Sequence, residues 1–404
     1  MDILTLAHPL EQHGALPLSP VAVTALAVCL VAVIAVSLRP RHGPVADQEE
    51  DQEEETASWA GRLGPAQAGT RVVALLLLVL AIAAGRLGSI DELENLAPAL
   101  VVGAAWPLLL LASALIGPIW RWLDPWDTVA RLGGVDSPDP EAGRPGVLWA
   151  LPAVGAWAWY LSAYPFPLAP RAVGTMLGLY SIVTVAGCFA VGRGVWLAHA
   201  EPLGLLLSWT ARVPRRRLVS WRPPRGAEVV LGALAGGLLF GSLRASELWG
   251  ALNVVPEAAQ YSALGVAASC VVGGALLWSL ERWSSRAGAP PGTVAAASVP
   301  ATVAIALALA LGRNRLFTSL QLLPGLFGDP FGLGWDLFGP AVDGLDPAPL
   351  GVTGLALTQL AALLVGHAAG AAALARRAAK PNRLPALLAL FLLLVPSSIA
   401  IASS

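Results

Sequence analysis

The chain has 404 residues, of which 56% are hydrophobic and 13% charged, and its mean hydropathy is +0.67. These values exclude an ordinary soluble domain of this length and indicate an integral membrane protein. The formal net charge of -1 says little, because in such a protein the position of the charges matters more than their sum.

Apolar runs of the length that spans a bilayer recur along the whole chain. A helix needs about 20 residues to cross about 30 Å of hydrocarbon. Ten runs approach this length, so we predict an all-α membrane bundle of about ten transmembrane helices that forms a single domain over residues 1–404. The predicted spans are 20–38, 71–87, 97–118, 147–164, 173–199, 228–243, 260–280, 293–311, 351–373 and 384–402.

Basic residues fall mainly in alternate gaps between these spans. Nineteen of the 25 Lys and Arg residues lie in one set of gaps, and five lie in the other set. Since cytoplasmic loops carry the excess of Lys and Arg, the first set is predicted to be cytoplasmic. The N-terminal segment has no basic residue before the first span, so ten spans place both termini outside the cell membrane.

Residues 39–70 separate the first two spans and contain the acidic run DQEEDQEEE. Self-repulsion and a lack of apolar residues predict a disordered acidic cytoplasmic linker for this stretch.

Residues 119–135 include the sequence IWRWLDPWDTVARL, which combines three tryptophans with two arginines. Indole rings partition to the headgroup level and arginine reaches phosphates, so an interfacial amphipathic segment is predicted here. Asp124 is suited to cap the N-terminus of a helix that begins at Pro125.

Ionisable residues at membrane depth are the best candidates for function, because burying one there costs at least about 2.5 kcal/mol unless it is paired or hydrated. Arg193, His199 and Glu201 cluster at the end of the predicted span 173–199. They could bind an anion, relay a proton or supply metal ligands. Alternatively, Arg193 and Glu201 reach the interface or form one ion pair between helices.

His367 lies inside the predicted span 351–373, between Gly366 and Gly370, which would admit close helix packing. Its imidazole could bind a metal, carry a proton or form a hydrogen bond between helices. No HxxxH or HExxH pair occurs, so the chain has no self-contained helical metal motif.

Residues 313–350 form the longest extracytoplasmic loop of the predicted topology. Their density of Gly, Pro and Asp predicts turns, and aromatic residues there would cover the mouth of the bundle as an ordered lid. Asp329 and Asp336 also offer hard oxygen ligands, so a divalent cation is the alternative interpretation.

The sequence lacks the motifs of several other common functions. There is no phosphate-binding GxxxxGK[ST] motif and no GxSxG nucleophile motif, and the three cysteines show no CxxC spacing. The basic stretch 213–225 is better suited to anionic lipid headgroups than to nucleic acid. The predicted partners are therefore the lipid bilayer and, in addition, other membrane proteins.

Several segments resemble bacterial multi-pass membrane proteins of the fenitrothion hydrolase-like family. They are GDPFGLGWDLFG with LTQLAALLVGHAAG, GPIWRWLDPWDTVARL, EPLGLLLSWTARVPRRRLVSWRPP and LAHPLEQHGALPLSPV. The chain departs from the pattern of this family at 240–249 and at 375–377. The resemblance implies hydrolysis of an organophosphate ester, a reaction that normally uses a metal-activated water.

Three hypotheses of different classes follow. As an enzyme, the protein would use His367, His199 and Glu201 in catalysis and would bind a divalent metal through His367, His199, Asp329 and Asp336. As a transporter, it would form a midplane site from spans interrupted by Gly and Pro. As an assembly subunit, it would present its small-residue helix faces to partner proteins.

Overall fold

The computed structural model describes residue 28 and residues 63–136, 146–214, 217–244, 259–312, 315–339 and 344–402. Over these residues the protein is helical and has no strand, which confirms the predicted fold class. The helices are α1 (Pro65–Leu87), α2 (Pro98–Leu115, beginning with π-helical turns), α3 (Pro125–Leu132), α4 (Leu151–Ser162), α5 (Pro170–Val191), α6 (Arg193–His199), α7 (Pro202–Thr210), α8 (Ala227–Arg244), α9 (Ala259–Arg286), α10 (Thr293–Leu311), α11 (Arg315–Gly328), α12 (Gly351–Arg377) and α13 (Leu384–Ala402).

Six helices in the described part of the chain are long and apolar enough to cross a membrane: α1, α2, α5, α9, α10 and α12. Three shorter apolar helices, α4, α8 and α13, coincide with further predicted spans. Nine of the ten predicted spans therefore correspond to helices. The remaining one, 20–38, lies outside the described residues except for Val28.

Helix α10 forms the centre of the bundle, with 83% of its span buried against neighbouring helices. Small residues let helix α12 approach it closely. A Cβ atom added at Gly366 would lie 2.5 Å from the carbonyl oxygen of Pro300, and one added at Gly370 would lie 2.4 Å from that of Ala297. The close packing that the glycines beside His367 predict is thus confirmed.

Successive spans alternate in direction, so the connections between them lie at two opposite ends of the bundle. The arginine-rich connections lie at one of these, called the basic end. Arg377 at this end donates to the carbonyls of Leu218 and Val219. The opposite end, called the acidic end, carries the loops 88–97 and 329–339, each of which contains carboxylates. These two loops are joined, because the amides of Ser89 and Leu96 donate to carbonyls of the second loop.

The extracytoplasmic segment predicted over 313–350 is not entirely loop, because helix α11 occupies its first part. Leu322 and Leu326 of α11 pack against Leu96 and Ala84 in a small core at the acidic end. Apolar residues recur at helical spacing in RLFTSLQLLPGLFG, and the internal Pro324 obscures this periodicity in the sequence. The prediction of a loop is therefore wrong for Arg315–Gly328.

Two further boundaries differ from prediction. Helix α1 already begins at Pro65, so the last residues of the predicted linker 39–70 are helical. The predicted span 173–199 is interrupted at Gly192, which has a φ of 91° that side-chain-bearing residues rarely adopt. The chain reverses direction there, and Arg193–His199 forms a separate helix.

Candidate functional site

Helix α6 folds back along α5 after the reversal at Gly192. The ring of Trp196 packs so closely on Gly187 that an added Cβ atom there would lie 2.1 Å from it. Further along, Glu201 accepts a hydrogen bond from the hydroxyl of Tyr180. Tyr180 precedes Gly192 by twelve residues, so this contact lies about 18 Å from the chain reversal at a rise of about 1.5 Å per residue.

Helix α7 then returns to the basic end. The carboxylate of Glu201 caps its N-terminus and accepts from the amides of Leu203 at 3.0 Å and Gly204 at 2.6 Å. Near the other end of α7, Trp209 packs against Trp221 of the basic loop, with ring centroids 5.8 Å apart. Helices α6 and α7 thus form a re-entrant hairpin whose tip carries a buried carboxylate.

A second buried carboxylate, that of Asp124, caps helix α3 beside this tip. Its side chain accepts from the amides of Trp126 and Asp127 at 3.0 Å each, and Pro125 occupies the first turn. The predicted cap is therefore confirmed. Asp124 is 2% exposed and Glu201 is 1% exposed, so two helix N-termini with acidic caps converge inside the protein.

Aromatic side chains surround the two carboxylates. Trp126 is only 3% exposed, and its indole nitrogen donates to the Ser181 hydroxyl at 3.0 Å. Its ring contacts Tyr180 edge-on at 5.1 Å between centroids and lies 5.8 Å from the ring of Trp120. The sequence prediction placed this tryptophan at the headgroup level, whereas it lies within the protein. Trp122, at 39% exposed, remains on the surface.

Asp127 holds three helices together near the hairpin. Its fully buried carboxylate pairs with Arg71 of α1, with Arg131 of its own helix at 2.7 Å and with Arg193 of α6 at 2.8 Å. Burial acts to raise the pKa of Asp127, but the hydrogen bonds from Arg131 and Arg71 outweigh it and hold the pKa low. The ion pair predicted for Arg193 is thus formed with Asp127 and not with Glu201.

A cavity of about 920 Å³ extends from the hairpin tip between α1, α2, α4, α7 and α8. Its walls are almost wholly apolar and include Leu77, Trp106, Trp157 and Leu206. Val73, another wall residue, is 56% exposed, so the cavity reaches the surface of the bundle beside α1. Cavities of this size suit small organic ligands.

The end of the cavity near the hairpin tip is polar. Trp120, Trp126 and Tyr180 line it, together with the first residues of α7. The indole nitrogen of Trp120 is buried and has no hydrogen-bond partner among the described residues. It lies 3.1 Å from the position that a Cβ atom would take on Gly204. An unsatisfied donor therefore lies beside an apolar chamber.

Each of the two histidines predicted as functional has one ring nitrogen within hydrogen-bond distance of a backbone carbonyl oxygen. His199 is 8% exposed, and its Nδ1 lies 3.0 Å from the carbonyl oxygen of Val195. His367 is fully buried, and its Nδ1 lies 2.8 Å from the carbonyl oxygen of Leu363. The Nε2 of His367 has no partner among the described residues.

The two predicted acidic ligands belong to the loop after α11. Asp329 accepts from the amides of Leu333, Gly334 and Trp335 and thereby fixes the turn. Burial acts to raise the pKa of Asp329, but these hydrogen bonds together outweigh it and lower the pKa. Asp336 is exposed and has a positive φ of 42°. The contacts of Asp329 favour the ordered-loop interpretation of this segment.

A divalent metal does not fit these side chains as they are placed. In the part of the chain that the structure describes, no three His, Cys, Asp or Glu residues group together as a ligand set. Three backbone amides already bind the Asp329 carboxylate, and the capping contacts of α7 already bind that of Glu201. His367, His199, Asp329 and Asp336 thus do not assemble the predicted metal site.

Three residues of this site were not predicted as functional from sequence. Asp127 stands four residues before Arg131, and this spacing could have indicated an ion pair. Tyr180 gives no such signal, because nothing local shows that a segment twenty-one residues later folds back onto it. Trp120 was predicted only as part of an interfacial anchor.

Comparisons with protein families, with curated proteins and with solved structures found no match.

Proposed function

We propose that this multi-pass protein is a carrier of a lipophilic or amphiphilic molecule, which it binds inside the bundle. The observation on which the proposal rests is the apolar cavity of about 920 Å³ that ends at the tip of the re-entrant hairpin. A ligand with a long apolar body and one polar group matches these walls and this end.

The polar end of the cavity would recognise the polar group of the ligand. The free indole N–H of Trp120 would donate to an acceptor on the ligand, because a buried donor without a partner costs about 1–3 kcal/mol. Tyr180 and Glu201 lie beside it and are already bonded to each other. A hydroxyl, carbonyl or ester oxygen on the ligand would complete the hydrogen bonding of this end.

The hairpin favours a carrier over a static binding protein. Broken helices that meet near the middle of the membrane are typical of substrate sites in secondary transporters. Here α6 and α7 meet at Glu201, and Gly192 provides the reversal that lets them enter the bundle. The hairpin contacts α5 and α3 through separate side chains, so a rearrangement of these contacts would let it move as a unit while the spanning helices stay in place.

Organophosphate hydrolysis, which the family resemblance implies, is the second candidate. The apolar cavity supports it in part, since a neutral triester is a lipophilic molecule. Its expected metal, however, has no group of three ligands among the described side chains. We therefore propose binding and transfer of the ligand in preference to its cleavage. Assembly with partner proteins remains the third interpretation.

We further propose that the protein resides in the cell membrane with its basic end in the cytoplasm, in keeping with the positive-inside rule. Pro290 is exposed at the basic end and Leu333 is 63% exposed at the acidic end. In intact cells, a membrane-impermeant maleimide should label Leu333→Cys and leave Pro290→Cys unlabelled. The reverse labelling pattern would show that the basic end faces the outside of the cell.

The carrier proposal is tested by what the purified protein retains. Leu77 lines the cavity, and its neighbour Leu76, at 63% exposed, lies on the outer face of the same helix. Wild type, Leu77→Trp and Leu76→Trp should be purified identically in mild detergent, extracted with organic solvent and compared by mass spectrometry. The identified molecule should then be assayed for transfer across proteoliposome membranes.

We expect one lipophilic molecule at near-equimolar amount in wild type and in Leu76→Trp, and its loss in Leu77→Trp, because the indole fills the cavity. Transfer across the membrane should be lost in the same variant. A wild type that retains no such molecule, or a Leu77→Trp that retains it fully, would overturn the proposal. A retained ester that the protein hydrolyses would favour the enzyme instead.

A further inference from the structure

A second cavity, separate from the first, lies at the basic end between α4, α8 and α9. Its volume is about 1060 Å³. Helix α8 forms the floor, with Val229 and Ala233, whereas α4 and α9 form the two walls. Trp278 on the α9 wall is 48% exposed and Val271 is 70% exposed, so the groove opens on the lipid-facing surface of the bundle.

The depth of this groove matches one leaflet of a bilayer. Arg282 marks its mouth at the basic end, and Val271 lies eleven residues earlier on the same helix. At 1.5 Å per residue the two are about 16 Å apart along the axis, close to half of a hydrocarbon core of about 30 Å. An acyl chain whose headgroup lay at Arg282 would therefore end near Val271.

Two arginines at the mouth of the groove are exposed and point to an anionic ligand. The guanidinium of Arg282 lies over the ring of Trp278, 5.5 Å from its centroid, which holds the charge at the mouth. Arg225 lies at the same mouth, on the loop that precedes α8. Neither arginine pairs with a carboxylate in the described part of the chain.

Two carboxylates also line the groove. Glu281 is committed to the start of α10, where it accepts from the amides of Gly292 at 2.7 Å and Val294 at 2.8 Å. Glu228, in the first turn of α8, is the other. The carboxylate of Glu281 is bound to amides at the positive end of the α10 dipole. The charges left at the mouth are those of the two arginines and Glu228, which sum to one positive charge that a headgroup of net charge -1 would balance.

We propose that this groove, lined at its mouth by Arg225 and Arg282 and at its deep end by Gly155 and Val271, is a binding site for a phosphatidylglycerol-type lipid. The phosphate pairs with the two guanidinium groups. The headgroup hydroxyls donate to Glu228, and one acyl chain lies along the groove between α4 and α9. The site is independent of the carrier cavity, so either proposal can fail alone.

The test is native mass spectrometry of the whole protein in detergent with phosphatidylglycerol or phosphatidylethanolamine of identical chains. Wild type should retain one phosphatidylglycerol and bind it at least tenfold more tightly than phosphatidylethanolamine. Arg225→Gln and Arg282→Gln should each lose about fivefold in affinity, the effect expected of one basic residue near a membrane surface. Arg286→Gln, an exposed arginine of α9 outside the groove, is the matched control and should bind as wild type.

A plug in the groove provides a test that does not depend on charge. A Cβ atom added at Gly155 has no heavy atom within 4 Å, so Gly155→Leu can be accommodated by the fold while its side chain blocks the path of the acyl chain. This variant should lose the retained lipid and keep the melting temperature of wild type. Equal binding of both lipids, retention by folded Gly155→Leu, or an equal loss in Arg286→Gln would each overturn the proposal.

Discussion

The hydroxyl of Tyr180 donates to the carboxylate of Glu201, although 21 residues separate them and a chain reversal at Gly192 lies in between. This contact fixes the tip of the hairpin against α5 at the polar end of the apolar cavity of about 920 Å³. The tip also lies beside the N-terminus of α3, so the buried carboxyl groups of Glu201 and Asp124 are neighbours.

Packing of the hairpin on α5 should depend on Gly187. Gly187→Ala would bring a methyl group into the ring of Trp196 at 2.1 Å, whereas Gly178→Ala on the same helix meets only Ile82 at an ordinary 3.9 Å. We expect a loss of about 1–3 kcal/mol in the free energy of unfolding for the first variant alone, the usual cost of overpacking. Chemical denaturation in mixed micelles measures it, and equal effects in the two variants would contradict the hairpin packing.

Asp127→Asn should be among the most damaging single changes in the protein. It leaves Arg71 and Arg193, both largely buried, without their carboxylate. Breaking a buried ion pair from one side costs roughly 3–5 kcal/mol. The unfolding free energy should fall by this amount, whereas Asp136→Asn, at an exposed position in the same connection, should leave it unchanged.

Trp120→Phe should weaken ligand retention without unfolding the protein. It removes the unpartnered indole donor at the polar end of the cavity while keeping an aromatic ring there. One lost hydrogen bond of about 0.5–1.5 kcal/mol corresponds to about twofold to twelvefold in affinity. The retained amount after washing measures the effect, with Trp122→Phe, 39% exposed and outside the cavity, as the control. Equal retention in both variants would show that Trp120 does not bind the ligand.

The spans could be predicted from sequence because hydrocarbon imposes a length and an apolar composition on every helix that crosses it. Helices α10 and α13 begin and end where the apolar runs do. The reversal at Gly192 could not be predicted, since GRGVWLAHAEP is apolar enough to continue a helix. Only the positive φ of that glycine and its contacts with α5 show where the chain turns.

The candidate site was only partly predictable, because most of its contacts join helices that are distant in the sequence. Glu201 and His199 stand out because charged and polar residues are rare among apolar ones. Their partners come from distant helices, and a single sequence does not show which helix faces lie together. Tyr180 and Asp127 were therefore assigned no role, and Asp124 was assigned only a capping role. The metal ligands were combined from residues that the structure places in different surroundings.

The most direct test of a ligand-filled cavity is an electron cryo-microscopy map of the wild-type protein in lipid nanodiscs. We predict elongated density between α1, α2 and α7, unconnected to the polypeptide, with one end within hydrogen-bond distance of the indole nitrogen of Trp120. Density continuous with the protein chain in that volume, or a volume closed by wall side chains, would contradict the account.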